Sequence, residues 1–224
     1  MINLKQLAAE KAVEQVESGM IVGLGTGSTA YWAIEKIGEK VKNKELSIKA
    51  IATSKRSEEQ ARGLGIPIIS FAEIDAIDIT IDGADESDHN LHLIKGGGGA
   101  LLREKIVASN SKKLIIVADE SKLVKHLGKF ALPVDVVTFG WEKTFQKLER
   151  LGCIPKLRME DGKPYITDNG NYIVDCAFGE IHDPVTLHEK INSITGVVDN
   201  GLFINLASQL IIASSNGEIK TFSK

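Results

Sequence analysis

The stretch Met20-Ile-Val-Gly-Leu-Gly25-Thr-Gly-Ser-Thr29 decides the fold class of this 224-residue chain. Residues 20–24 are mostly apolar, as in a short buried strand, and they lead directly into a turn of glycines and hydroxyl side chains. Apolar residues then recur at helical spacing over residues 30–37. Strand, glycine-rich turn and helix together form the repeating unit of a parallel α/β sheet.

The same alternation continues to about residue 126. Because strands that alternate with helices form parallel sheets covered on both faces, we expect a Rossmann-like, mostly parallel sheet. The pattern predicts a helix that starts at a Ser57/Gln60 capping pair, a helix over 100–108, and strands over 47–52, 67–70, 77–81 and 113–118.

After residue 126 the order becomes strand, helix, hairpin-linked strands, helix, strand, which is typical of a ferredoxin-like α+β domain. Its last strand is predicted over 197–203. The tail over 210–221 has the pattern of a hairpin, which we expect to rejoin the first sheet. The predicted organisation is therefore a Rossmann-like domain over 1–126 plus 204–224, with a ferredoxin-like domain inserted over 127–203.

Composition narrows the class of protein. A net charge of −3 argues against a nucleic-acid binder, which normally carries a basic excess. Cys153 and Cys176 do not form a disulfide framework and are expected to be buried thiols. No signal peptide and no apolar run of about 18 residues is found, so we expect a cytoplasmic protein without membrane segments.

Three segments carry candidate chemistry, each just beyond the end of a predicted strand, where α/β sheets bind ligands. In the first, backbone N–H groups and hydroxyls of the loop form a candidate anion site at a helix start, with Thr26, Gly27, Ser28 and Thr29 as its residues. The loop lacks the Gly-Lys-Ser/Thr of a Walker sequence and the third glycine of a dinucleotide fingerprint. A tight strand-to-helix turn is the alternative.

The second segment is acidic, Asp82-Gly83-Ala84-Asp85-Glu86. A solvated acidic turn or a metal site with the neighbouring His89 and His92 would also account for it. No further histidine or cysteine with metal-ligand spacing completes such a site, so no metal is expected.

The third segment follows Lys95 with four glycines, Gly96, Gly97, Gly98 and Gly99, which suit a backbone that approaches a ligand. Glu104 lies about one turn into the next helix, on its apolar side, where desolvation would raise its pKa toward that of a general base. Lys122 follows another predicted strand and is a second candidate cation.

Together these segments resemble the ribose-5-phosphate isomerase A family over almost the whole chain. The resemblance rests on Gly25-Thr-Gly-Ser-Thr29, Asp82-Gly-Ala-Asp85, Lys95-Gly-Gly-Gly98, Arg103-Glu-Lys105, Ala118-Asp-Glu-Ser-Lys122, Leu127-Gly-Lys-Phe130 and Asp168-Asn-Gly-Asn171.

The resemblance implies interconversion of D-ribose 5-phosphate and D-ribulose 5-phosphate without metal or cofactor. Glu104 would be the general base, Lys95 the oxyanion stabiliser, and Asp82 and Asp85 the contacts to sugar hydroxyls and for ring opening. The loops 26–29 and 96–98, with Lys122, would bind substrate. The family also implies a homodimer or larger assembly. Which loop holds the phosphate stays open.

Two other functions would also use a sugar-phosphate site. An amino-sugar deaminase usually needs a histidine relay, and no histidine lies within the three segments. A sugar-phosphate sensor of the transcription-regulator kind would need a DNA-binding segment, for which the chain offers no obvious candidate.

Overall fold

The computed structural model describes residues 3–224. This part of the chain contains six α-helices and fifteen strands, with short 3-10 helices at Phe71–Glu73 and Glu120–Lys122. The helices are α1 Leu4–Val13, α2 Ala30–Lys42, α3 Lys55–Gly63, α4 Leu101–Ser109, α5 Trp141–Glu149 and α6 Pro184–Asn192. The strands are β1 Ile21–Leu24, β2 Lys49–Ala52, β3 Ile79–Gly83, β4 Glu86–Ser87, β5 Leu93–Ile94, β6 Leu114–Asp119, β7 Leu132–Val136, β8 Ile154–Leu157, β9 Met159–Glu160, β10 Lys163–Pro164, β11 Tyr172–Ala177, β12 Val197–Asn200, β13 Leu202–Phe203, β14 Gln209–Ala213 and β15 Ile219–Ser223.

These elements form two compact units. The first unit comprises residues 3–84, Arg103–Leu123 and Leu206–Lys224, and the second comprises Asp85–Leu102 and Val124–Asn205. The sequence-based boundaries assigned 85–102 to the first domain. In the structure this segment joins the second unit, because β5 pairs with both β13 and β4.

The first unit is built on a six-stranded sheet in the order β15-β14-β6-β3-β1-β2. All neighbours pair in parallel except the β14–β15 hairpin, so the tail does rejoin this sheet, through β14 against β6. Alanines of α1, with Ile34 and Ile37 of α2, pack on one face in a large apolar core. Val107 of α4 packs with Ile51 and Ile77 in a separate cluster. The predicted Rossmann-like fold class is confirmed.

Two local predictions in the first unit were wrong. Helix α3 is capped by Ser54, whose hydroxyl accepts the Ser57 N–H at 3.1 Å, so the helix starts earlier than the Ser57 signal indicated. Residues 67–70 form only an isolated parallel bridge, Ala50 to Ile68, instead of a strand. The bridge partner of Ile68 comes from β2, which local spacing does not encode. Ser54 lies only three residues before Ser57, so its capping contact is a local signal that the prediction missed.

The second unit contains an antiparallel sheet in the order β12-β7-β11-β8. Strands β7, β8, β11 and β12 are the first to fourth strands of the strand-helix-strand-strand-helix-strand run. Their order in the sheet is therefore 4-1-3-2, as in a ferredoxin-like fold. Its core includes Val134, Leu148, Val174 and the two free cysteines, Cys153 and Cys176. The single strand predicted over 197–203 is divided, because β12 pairs with β7 whereas β13 pairs with β5.

None of the helices in residues 3–224 is both long and apolar enough to span a membrane.

Candidate active site

The first two candidate segments lie at the ends of neighbouring strands in the first unit. The chain leaves β1 toward β2 on one side and continues from β3 toward β6 on the other, so the strand order reverses between β1 and β3. Open α/β sheets bind ligands at such a switch point, beyond the carboxyl ends of the strands. The loop 25–29 follows β1, and Asp82 lies at the end of β3.

Asp82 connects these two strand ends. Its side chain is buried, and Oδ1 accepts the N–H groups of Thr26 at 3.0 Å and of Gly83 at 2.8 Å. A Cβ on Gly25 would lie 2.5 Å from the Asp82 Cα, so the loop can approach β3 this closely only with glycine there. The carboxylate therefore fixes the shape of the first loop.

Thr26 also serves the loop through its side chain. Its buried hydroxyl lies 2.7 Å from that of Thr53, 2.8 Å from that of Ser54 and 3.1 Å from that of Ser57. Ser57 in turn donates to the Gly25 carbonyl at 2.7 Å. Sequence reasoning missed these supporting hydroxyls, although Thr53 and Ser54 directly follow β2, the neighbour of β1.

Lys5 is a further residue that sequence reasoning missed. It projects from α1, and its ammonium group donates to the Ser28 hydroxyl at 2.8 Å. Ser28 is exposed, and Thr29 is the N-cap residue of α2, without capping the helix through its own hydroxyl. A cation, a hydroxyl and a helix N-terminus meet here, and each of these favours binding of an anion. No local sequence signal links Lys5 to a loop 23 residues away.

Two further candidate site residues of the first unit, Glu104 and Lys122, lie on helices. Glu104 lies in the first turn of α4 and is only 4% exposed. Lys122 ends the 3-10 helix after β6 and is half-buried. That helix is capped by Asp119, which accepts the Ser121 N–H at 3.0 Å. Since β6 is the neighbour of β3, Lys122 follows the strand beside the one that contains Asp82.

Lys95 is the buried cation of the second unit. It follows β5 and is 2% exposed, and its N–H donates to the Gly201 carbonyl at 2.9 Å. Its Nζ lies 5.5 Å from the centre of the Phe203 ring, within the range of a cation–π contact. A lysine so far removed from solvent is costly to bury, which favours a functional reason for its position.

The glycines after Lys95 are held by two charged side chains. Asp85 Oδ2 accepts the Gly97 N–H at 2.8 Å. Arg158 donates through Nη1 to the carbonyls of Gly96 at 2.9 Å and Gly97 at 3.2 Å, while its Nε binds Asp175 at 2.9 Å. Arg158 lies between β8 and β9, and Asp175 lies in β11. Nothing in their local sequence indicated this role.

The candidate residues divide between the two units. Nine lie in the first unit, namely Thr26, Gly27, Ser28, Thr29, Asp82, Gly83, Ala84, Glu104 and Lys122, and five lie in the second, namely Asp85, Lys95, Gly96, Gly97 and Gly98. The last carboxylate of the acidic segment, Glu86, has a structural task, since its oxygens accept the N–H groups of Gly128 at 2.7 Å and Phe130 at 2.6 Å.

The chain matches a protein-family model and curated relatives over most of its length. Residues 49–217 match the family model of ribose 5-phosphate isomerase A (phosphoriboisomerase A). A ribose-5-phosphate isomerase A of Bacillus mycoides is 57% identical over 218 residues, covering 97% of this chain and 98% of the relative.

Solved structures agree as well. A ribose 5-phosphate isomerase from Plasmodium falciparum is 46% identical, with a TM-score of 0.95 over 98% of this chain and 97% of its own. A D-ribose-5-phosphate isomerase in complex with phospho-erythronic acid is 39% identical, with a TM-score of 0.96 over 100% of both chains. The chain therefore belongs to the ribose 5-phosphate isomerase A family and is an aldose–ketose isomerase.

Proposed function

We propose that the protein interconverts D-ribose 5-phosphate and D-ribulose 5-phosphate, as in the non-oxidative pentose phosphate pathway, by proton transfer through an enediolate. Besides the membership of the family, the main observation in support is that the Glu104 carboxylate is buried in the first turn of α4. Abstraction of a proton from carbon beside a carbonyl requires a base that is shielded from water.

In the proposed mechanism Glu104 removes the proton from C2 of the open-chain aldose. The electron pair of the broken C–H bond forms the C1–C2 double bond, and the carbonyl electrons move onto O1. The Lys95 ammonium group stabilises the negative charge on this oxygen, the kind of electrostatic contribution that is usually largest. Return of the proton from Glu104 to C1, with loss of the O2 proton and protonation of O1, gives the ketose. No metal or cofactor takes part.

The remaining candidates bind and position the sugar. Asp82 and Asp85 contact its hydroxyls, with Asp82 assisting ring opening, and Lys122 adds a further contact. The backbone of Gly83, Ala84 and the loop 96–98 completes this part of the site. Support comes from the hydrogen bonds with backbone N–H groups that fix both aspartates. A carboxylate that is already fixed loses little conformational entropy when it accepts a hydrogen bond from a sugar hydroxyl.

The phosphate binds, in this proposal, at the loop that contains Ser28 and Thr29, while the loop after Lys95 receives the reacting end. Support comes from Lys5, whose ammonium group already contacts the Ser28 hydroxyl, and from the start of α2 in the same loop. A solved relative, 39% identical to this chain, is in complex with phospho-erythronic acid, which carries a phosphate as the proposed substrate does.

The experiment that tests the mechanism compares Glu104→Gln with the wild type in ²H₂O containing EDTA, with ribose 5-phosphate as substrate and proton NMR as the readout. The wild type should form ribulose 5-phosphate with solvent deuterium at C1. The variant should keep its fold and lose nearly all turnover, because the amide cannot accept the C2 proton. Glu58→Gln, on the exposed surface of α3, is the matched control and should behave as the wild type. Near-normal turnover of Glu104→Gln would overturn the assignment of the base.

The proposal extends to a homodimer or larger assembly in the cytoplasm. Support comes from the second unit, where Phe139 is 94% exposed and Ile154 78% exposed, since large apolar side chains on a surface favour association. Light scattering tests this, and a monomer mass at assay concentration would contradict it.

A further inference from the structure

Three side chains that the proposed isomerase reaction does not use meet at the surface of the second unit. His126, Glu180 and His182 each offer one ligand atom, and these atoms all lie within 4.8 Å of one another. The two imidazole rings have their centres 5.0 Å apart with planes inclined at 73°, and His182 Nε2 lies 3.8 Å from Glu180 Oε2.

The backbone places the two histidines opposite each other. Leu127 and Ile181 form an antiparallel bridge, in which the Ile181 N–H donates to the Leu127 carbonyl at 2.7 Å. His126 and His182 are the next pair along this register. Directly opposite residues on antiparallel chains share a face, with Cβ atoms about 4.5–5.5 Å apart. Leu127 and Ile181 are themselves buried in the core of the unit, so the bridge is anchored.

The segment that carries His126 is fixed on its other side as well. Glu86 accepts the N–H groups of Gly128 and Phe130, as described above. A Cβ on Gly128 would lie 3.0 Å from the carbonyl carbon of Gly179, so the two segments approach each other too closely for any other residue there. The histidine pair therefore has a rigid base, whereas Glu180 and His182 have side chains 69% and 71% exposed that can rotate.

Two imidazoles and one carboxylate are the ligand set that Zn²⁺ takes at sites with three protein ligands, where water fills the fourth position. Bonds of about 2.0–2.1 Å would bring the ligand atoms to about 3.3 Å from one another. The present separations exceed this by at most about 1.5 Å, which rotation of the exposed side chains can close. Mg²⁺ and Ca²⁺ prefer oxygen ligands and fit this set poorly.

We propose that His126, Glu180 and His182 form a surface site for a divalent first-row transition metal ion, and that Zn²⁺ is the ion bound. The ion links the chain on the two sides of the Leu127–Ile181 bridge. Because it binds the folded chain and has no preformed site in the unfolded one, it stabilises the second unit in proportion to its free concentration. It takes no part in the isomerase reaction.

The test uses the full-length chain, freed of metal with EDTA and then dialysed, and titrates it with zinc chloride by isothermal calorimetry. The wild type should bind zinc stoichiometrically, and its melting temperature should rise with zinc concentration. His182→Ala and His126→Ala should each weaken binding by at least about tenfold, a loss of 1.4 kcal/mol or more. His89→Gln, an exposed histidine elsewhere in the second unit, is the matched control and should bind as the wild type does.

Two further measurements make the result decisive. Cobalt(II) should give visible absorption bands of a tetrahedral site with the wild type and lose them with Glu180→Gln, whose change is at an exposed position and spares the fold. Turnover in EDTA should be unchanged in all these variants, which separates this site from the catalytic one. Absence of zinc binding to the wild type, or binding by both His126→Ala and His182→Ala as tight as that of the wild type, would overturn the proposal.

Discussion

The two glycine-rich loops, one in each unit, are held by different means. The loop 25–29 is fixed by the buried side chains of Asp82 and Thr26, which hydrogen-bond within a network that includes Ser54 and Ser57. The loop after Lys95 is fixed from outside, by Asp85 on one N–H and by Arg158 on two carbonyls. The first loop is therefore an internal part of its sheet, whereas the second is a length of backbone clamped by charges.

This difference suits the two proposed tasks. A phosphate is bound through several N–H groups and hydroxyls at once, so a loop with a single, rigid shape is an advantage. In the proposed mechanism the second loop receives the reacting end, and its main contribution there is the cation that precedes it. Substitutions in each loop can test this contrast.

The largest effect is expected at Lys95, the cation of the second loop. Lys95→Met keeps most of the side-chain volume and removes the charge, so kcat should fall by about 10²–10³, as when one oxyanion partner is lost. The effect on stability should be smaller than the effect on kcat, because methionine keeps most of the side-chain packing at this buried position. Steady-state kinetics and thermal unfolding measure the two effects, with the exposed Lys129→Met as control. A destabilised variant with normal kcat would identify Lys95 as a structural lysine.

The glycines of the two loops should differ in what an added methyl group costs. In Gly25→Ala the new Cβ meets the backbone of Asp82, 2.5 Å from its Cα, and backbone cannot move aside without shifting β3. In Gly97→Ala it meets the Asp85 carboxylate, 2.5 Å from Oδ1, which can rotate away. We expect losses in the free energy of unfolding of about 3 and about 1 kcal/mol, respectively. Urea denaturation of the pair measures this, and equal losses would remove the contrast between the loops.

How far the sequence predicts this molecule depends on the distance over which the relevant contacts act. The strand–turn–helix unit around Gly25 and the terminal hairpin were predicted because their signals are local, namely the period of apolar residues and the turn glycines. The division of residues 197–203 between two sheets was not predicted, since it depends on which strands β12 and β13 meet.

In the candidate site, too, contacts between residues far apart in the sequence were not predicted. Its glycine loops and carboxylates carry motifs that can be read from the chain, and the structure puts Asp82 against the first loop and Asp85 against the second. Lys5 and Arg158 carry no motif, because their contacts join residues 23 and 62 positions apart through side chains on separate elements. Only folding reveals such supports.

Thr26 tests the internal network of the first loop. Thr26→Val keeps the shape and leaves the buried hydroxyls of Thr53, Ser54 and Ser57 short of one partner, so the free energy of unfolding should fall by about 1–3 kcal/mol. Ser28→Ala, at an exposed position of the same loop, should change it by less than about 0.5 kcal/mol. Chemical denaturation of both variants gives the difference, and a neutral Thr26→Val would show that the hydroxyl network contributes no net stability.

The smallest effect is expected at Arg158, the clamp on the second loop. Lysine cannot reproduce the planar fork that binds Asp175 and the carbonyls of Gly96 and Gly97 together, so Arg158→Lys should lose about 1 kcal/mol of stability. The change should be local, with faster hydrogen exchange at residues 96–99 and unchanged exchange in the loop 25–29, which lies in the other unit. Arg150→Lys, at an exposed position, is the matched control and should leave both loops unaffected. If exchange rose equally in both loops, the clamp would be acting on the whole molecule and the two loops could not be regarded as separately held.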